Sequence, residues 1–307
     1  MTLSDHHKLW KSRRKEATLR LSHSIIADFI YVNDQAIGPD GIRTEWAAVE
    51  ALLNGGDLSS YSEKSEIRYG ETAYTIWALG HRLGRWDVLG ANIGDWGNGD
   101  DDGGSTRFRN VEFECQVALR FLEEGYRVQP LAGSHKAEML VEGFFAIECK
   151  RQYDLNGLLR NSIKARDQIK STGKRGVLIV SVDELDGLAI DPCDEDTVEA
   201  ELDRVAQVAE YGFGQTDSEL IGVIVEYVAD RRTATESGSY VHAVHNCSDP
   251  STGLCHSVLD KTIHALTGGS ERDIRDPQVP VADRYAGDYE KENEQDYFDF
   301  YDAEIDV

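Results

Sequence analysis

Residues 135–152, HKAEMLVEGFFAIECKRQ, constrain the fold of this chain more than any other stretch. Two short runs flank the turn-forming triplet Glu142-Gly143-Phe144, and each alternates residue type with the period of a β-strand. With a loop of those three residues, Glu138 lies across from Glu148, Leu140 from Ala146 and Lys136 from Lys150. The other face then pairs Met139 with Ile147, Val141 with Phe145 and Ala137 with Cys149. A two-residue turn would set Glu148 against Ala137 and split the carboxylates, because a slip of one residue turns every side chain over. The apolar pattern selects the first register. The expected hairpin has one apolar face and one face with two carboxylates and two ammoniums.

Two carboxylates that close repel each other unless a cation lies between them. Carboxylate oxygens are hard ligands that suit Mg²⁺ or Mn²⁺. Lys150, two residues beyond Glu148 on the same face, would reach a nucleophilic water or an oxygen where negative charge develops. Glu-x-Lys is common by chance, and a solvated strand face of mixed charge is the plain alternative.

The flanking sequence predicts an αβββαβ order. Residues 110–124 form an amphipathic helix with Phe113, Val117 and Phe121 four apart, ended by Gly125. Residues 126–131 are a short strand, followed by the hairpin. Residues 155–171 are a second helix, and 176–182, GVLIVSV, is the continuous apolar run of a central strand. A helix at 197–210, strands at 220–228 and 240–245 and a helix at 254–266 complete an α/β domain spanning 107–268.

With these elements in place, the segment resembles the PD-(D/E)xK, restriction-endonuclease-like nucleases, more loosely their Mrr-like and Holliday-resolvase-like branches. Phe113-Glu114 precedes Gly125 by the family's spacing, Glu138 and Glu148-Cys149-Lys150 match its hairpin acids and lysine, and Ala165-Arg166-Asp167-Gln168-Ile169 matches its following helix. The resemblance implies a restriction-endonuclease-like core that hydrolyses DNA phosphodiester bonds with Mg²⁺ or Mn²⁺, in defence or repair. It implies that Glu138, Glu148 and the carbonyl of Cys149 hold the metal, and that Lys150 activates water and stabilises the transition state. Glu114 would support the metal's water shell or a second ion, and Gln168 would position water or backbone. Arg151, Arg160, Lys164, Arg166 and Lys170 are candidate phosphate contacts. The family usually carries Asp where this chain has Glu138, and one methylene displaces a carboxylate by about 1.5 Å. A catalytically inactive DNA-binding or scaffold protein on the same fold is therefore the alternative.

The charge balance needs reconciling with that expectation. The chain of 307 residues has 56 acidic and 32 basic residues, a net charge of −24. A surface so acidic, with 11 Lys to 21 Arg, fits a protein adapted to high salt. Acidity counts against binding a phosphate backbone, but the charge is unevenly spread. Residues 107–175 have 13 Lys and Arg against 9 Asp and Glu, whereas residues 271–307 have 4 against 13. The segment that would handle phosphate is net positive.

Outside the α/β segment, residues 1–90 read as mostly helical: a polar, basic lead-in to about residue 20, then helices at 44–53 and 66–89. The aromatic positions Tyr69, Tyr74 and Trp77 read as core. A homodimer or protein partner would engage this region. Residues 91–106 are Gly/Asp-rich and read as a flexible linker. Asn98, Asp100, Asp102 and Gly103 imitate a calcium loop, but its twelfth position falls on Arg109 and the match fails. Residues 269–307 form an acidic tail with interleaved aromatics, expected to be flexible. His242, His245, Cys247, Cys255 and His256 have soft ligands for zinc, but no C-x-x-C accompanies them and zinc is not expected. The five scattered cysteines, the absence of a signal sequence and the lack of an apolar run of membrane length point to a cytoplasmic protein.

Overall fold

The computed structural model describes residues 3–98, 106–131, 137–182, 185, 188, 195–214, 220–229, 238–245 and 261–266. The chain divides into two units, Met1–Leu119 and Arg120–Val307.

The first unit is helical. The basic lead-in belongs to one long helix, α1 (Leu3–Val32), which buries Leu19, Ile26, Phe29 and Ile30. Helix α2 (Ile42–Leu53) starts from Gly41 at φ 56°, where a Cβ would come within 2.5 Å of the Trp96 carbonyl oxygen. Helix α3 (Glu63–Trp77) is capped by Ser62, whose hydroxyl accepts from the Ser65 N–H at 3.0 Å. The single helix expected at 66–89 is broken. It widens into a π-helical turn, Ala78–Arg82, passes Gly84 at φ 65°, and restarts as α4 (Trp86–Gly90). Helix α5 (Thr106–Glu123) begins four residues before Asn110.

The linker expected at 91–106 needs correction. Ile93–Gly97 form a 3₁₀ helix, and Trp96 within it is fully buried, edge-on to Phe29 at 5.2 Å. The remainder, 99–105, lies outside the described residues. Polar groups also hold this unit together. Arg109 on α5 lies over its own neighbour Phe108 and donates to Glu112 at 2.8 Å. It also pairs with Glu45 on α2, while Thr72 on α3 donates to Glu112. Three helices therefore meet on buried charge.

Among the described residues the second unit is built on one mixed six-stranded sheet in the order β1 to β6. Strands β1 (Val128–Pro130), β2 (Met139–Val141) and β3 (Phe145–Arg151) form an antiparallel meander. Strands β4 (Arg175–Ser181) and β5 (Leu220–Ala229) continue parallel to β3, and β6 (Gly238–His245) closes the edge antiparallel. Parallel neighbours require crossovers, supplied here by α6 (Leu155–Ser171) and α7 (Glu195–Phe213). Right-handed crossovers put both helices on one face of a sheet. Accordingly Leu158, Ala165 and Ile169 of α6 and Val198, Leu202 and Val205 of α7 share one core with Ala146, Leu178, Val180, Val223 and Val225. Phe121, at the end of α5, packs edge-on to Phe145 from the opposite face. The chain is thus a mixed α/β protein with a helical N-terminal unit. Among the described residues no helix is long and apolar enough to cross a membrane. The acidic tail at 269–307 lies outside the described residues.

Candidate active site

The β2–β3 hairpin has the register that keeps both carboxylates together. Met139 pairs with Ile147, Leu140 with Ala146 and Val141 with Phe145. The loop turns tightly because Glu142 and Gly143 both take positive φ, 54° and 74°. Glycine adopts that conformation freely; Glu142 does not. Two contacts hold it there: its carboxylate accepts from the Arg127 N–H at 2.8 Å and from the Arg127 guanidinium at 3.0 Å. These bonds keep the Glu142 carboxyl below the usual carboxylate range.

The register delivers a charged triad. The Lys150 ammonium contacts Glu148 Oε1 and reaches Glu138 Oε1 at 3.5 Å. The two carboxylates therefore share one face and one cation. The face is not solvated, contrary to the plain alternative for Glu-x-Lys: Glu148 is 0% exposed, beneath the same core that α6 and α7 cover. Burial pushes the Glu148 carboxyl up to about 8; Lys150 opposes the shift and Glu138 adds to it. Glu148 Oε2 is buried and accepts no hydrogen bond among the described residues. That oxygen lacks a donor as a carboxylate, and a proton shared with Glu138 or a cation would supply the missing partner.

The other expected site residues fall in different places. Gln168 is buried on the sheet side of α6, with Ala165 and Ile169. Glu114 lies in the first unit, where Oε2 accepts from Asn92 Nδ2 at 3.1 Å. Cys149 is buried on the apolar face of β3, which leaves its backbone carbonyl as the group of interest. Arg160, Lys164 and Lys170 are exposed on α6, and Arg166 donates to Asp167 at 3.0 Å. Lys136 lies outside the described residues. Among the described residues no group of three or more His, Cys, Asp or Glu is arranged to hold a metal ion. Strand β6 contains His242 and His245 without a described side chain, and Cys247, Cys255 and His256 lie outside the described residues.

Arg151 departs from the role of phosphate contact. Strand alternation turns it away from Lys150, and it is 7% exposed. In register it sits in one row with Ser181 of β4 and Glu226 of β5. Glu226, itself buried, accepts from Arg120 Nη1 of α5 at 2.5 Å. This second polar row lies on the face that Arg120 and Phe121 meet, and no local pattern in the sequence announces it.

Gln152 extends the carboxylate face. Its N–H donates to the Ser181 carbonyl at 2.9 Å, which prolongs the strand beyond Arg151. The alternation Glu148, Lys150, Gln152 then places it on the carboxylate face. It is 1% exposed, Oε1 accepts from Asn161 Nδ2 of α6 at 3.2 Å, and Nε2 is buried with no partner among the described residues. The period-two pattern that revealed Glu148 and Lys150 extends to it.

Comparison with protein-family models, curated proteins and solved structures finds no match in any of the three.

Proposed function

We propose that the chain is a metal-dependent endonuclease of the restriction-endonuclease-like kind, hydrolysing DNA phosphodiester bonds. The observation that carries this reading is Lys150 lying between the half-buried Glu138 and the buried Glu148 on one face of the hairpin. Its surroundings support it: a helix, an antiparallel meander, a crossover helix and a parallel strand follow in the order the resemblance implies.

The residues present fit a hard divalent cation in their donor chemistry. Two carboxylates converge, and one of their oxygens is buried without a hydrogen-bond partner among the described residues. Glu138, Glu148 and the Cys149 carbonyl would hold the ion. When bound, such an ion polarises the phosphoryl oxygens and lowers the pKa of water. Lys150 keeps a positive charge beside the position where negative charge develops. Gln152, steadied by Asn161, keeps an amide donor on the same face. The low-dielectric setting that raises the Glu148 pKa also strengthens every charge interaction with a substrate.

One observation favours the second reading, a nuclease-fold protein that binds DNA without cutting it. Lys150 occupies the gap between the carboxylates, and no third acidic ligand joins them among the described residues. A cleavage assay separates the two readings. Mg²⁺-dependent cutting by the wild type, lost in Lys150→Ala, supports the enzyme; binding without cutting supports the scaffold.

A further inference from the structure

The first unit has a surface that the reading above leaves unused. Helix α3 does not end cleanly. Leu83 N–H reaches back five residues to the Ala78 carbonyl at 2.9 Å, giving a π-helical turn over Ala78–Arg82. Such turns are rare and occur often at functional sites. This one shapes a cluster of rings and cations. Trp86 lies against Gly80, where even a Cβ would come within 2.6 Å of the indole. Glycine at that position lets the ring lie on the backbone. Trp86 is nevertheless 42% exposed, with His81 edge-on to it at 5.1 Å. From the same π-helical turn the exposed Arg82 guanidinium lies over two half-buried rings, 5.7 Å from Tyr74 and 5.8 Å from Trp77.

Charge sorts the partners such a surface fits. Residues 72–86 contain two arginines and one histidine and no acid, in a chain of net charge −24. The nearest acid on the C-terminal side, Asp87, is held by Arg85 through contacts at 2.9 and 2.8 Å. An exposed indole and an arginine–aromatic stack, both seated on one π-helical turn, match an anionic polymer of flat rings. Base–aromatic stacking tolerates any sequence, and arginine adds cation–π attraction. It also suits an acidic protein in high salt. Binding by counterion release fades steeply as salt rises, so a chain with little net attraction for phosphate needs contacts that salt does not screen.

We infer that Trp86, Arg82, Tyr74 and Trp77 form a stacking surface for the unpaired bases of a nucleic-acid strand. This deepens the reading of the chain as a nuclease, and rests on it, by naming the substrate as one with single-stranded or splayed bases.

The test uses the full chain in EDTA, so that no cleavage occurs, with a fluorescein-labelled single-stranded oligothymidylate and a blunt duplex of equal length. Fluorescence anisotropy should show the single strand preferred, with an affinity that falls about ten-fold in Trp86→Ala and in Arg82→Ala. Trp86→Phe should retain most of it, and all variants should melt with the wild type. Arg82 is exposed, so its variant keeps the test valid should Trp86→Ala unfold. Equal affinity of wild type and both alanine variants would overturn the inference, as would a preference for duplex. It is also overturned if Trp86→Ala abolishes only self-association or only adsorption to anionic phospholipid vesicles. Absent cleavage with stacking intact overturns the nuclease reading alone; cleavage with unchanged affinity in Trp86→Ala overturns the stacking surface alone.

Discussion

Glu148 and Lys150 stand two residues apart on β3, and the Lys150 ammonium that contacts Glu148 Oε1 also reaches Glu138 at 3.5 Å. One ammonium thus serves two carboxylates, and one of these is fully buried. Such an arrangement is poor as a stability device. Its desolvation cost is large, and a hydrophobic pair would often serve the fold as well. Its value lies in what it holds ready.

That cost gives a pH signature. Burial pushes the Glu148 carboxyl up to about 8 in the folded chain, well above its ordinary value of 4.5. The folded state therefore binds a proton that the unfolded state has released across that interval. Its stabilising contribution is complete below about pH 4.5 and is lost as pH rises through about 8. Wild type should lose stability relative to Glu148→Gln over this window, by no more than about 1.4 kcal/mol per pH unit. Urea unfolding at pH 5, 7 and 9 reads the difference, and parallel curves would show that Glu148 is ionised throughout.

Divalent cation should relieve the same strain. A ligand that binds only the folded state stabilises it by about 2.7 kcal/mol at 100 times its dissociation constant. Mg²⁺ or Mn²⁺ should raise the melting temperature of the wild type and leave Glu148→Gln and Glu138→Gln unmoved. An equal shift in all three would place the ion elsewhere.

The first unit depends on Arg109. Removing it leaves Glu112, 0% exposed, facing Glu45 without their shared cation. Burial already raises the Glu45 carboxyl. Arg109→Met should destabilise the chain by about 3–5 kcal/mol, the range seen when one partner of a buried ion pair is lost. Adding Glu112→Gln should restore part of that loss. Denaturant midpoints measure both, and a wild-type midpoint for Arg109→Met contradicts the assignment.

Gln152 offers a contrast between stability and activity. Its Nε2 is buried without a partner among the described residues while Oε1 accepts from Asn161, so Gln152→Leu should change stability by no more than about 1 kcal/mol. Cleavage should nevertheless fall about ten-fold, because a donor on the carboxylate face is gone. A variant that is both less stable and fully active would reverse the assignment.

The sequence disclosed elements whose side chains repeat with one clear period. The α6 limits and the hairpin register were legible because Leu140, Ala146, Met139 and Ile147 alternate without conflict and admit one loop length. Glu148 and Lys150 were legible for the same reason. What escaped was set by tertiary contacts. Nothing local announces that Trp96, amid glycines and aspartates, inserts against Phe29. The break after Trp77 depends on Trp86 folding back onto Gly80, a contact between helices. Arg151 is turned off the carboxylate face by the alternation of β3, and no local pattern announces the pairing of Glu226 with Arg120, 106 residues away.

The central claim is that Glu138, Glu148 and Lys150 make one hydrolytic site, and cleavage of supercoiled plasmid DNA by the full chain tests it most directly. With Mg²⁺ or Mn²⁺ at high salt the wild type should nick or linearise the plasmid, and EDTA should stop it. Lys150→Ala and Glu148→Gln should each lower the rate by about 100-fold or more while retaining the fold. Metal-dependent cutting that persists undiminished in both variants, or a wild type that binds Mg²⁺ or Mn²⁺ at this pair and cuts no DNA, would contradict the account.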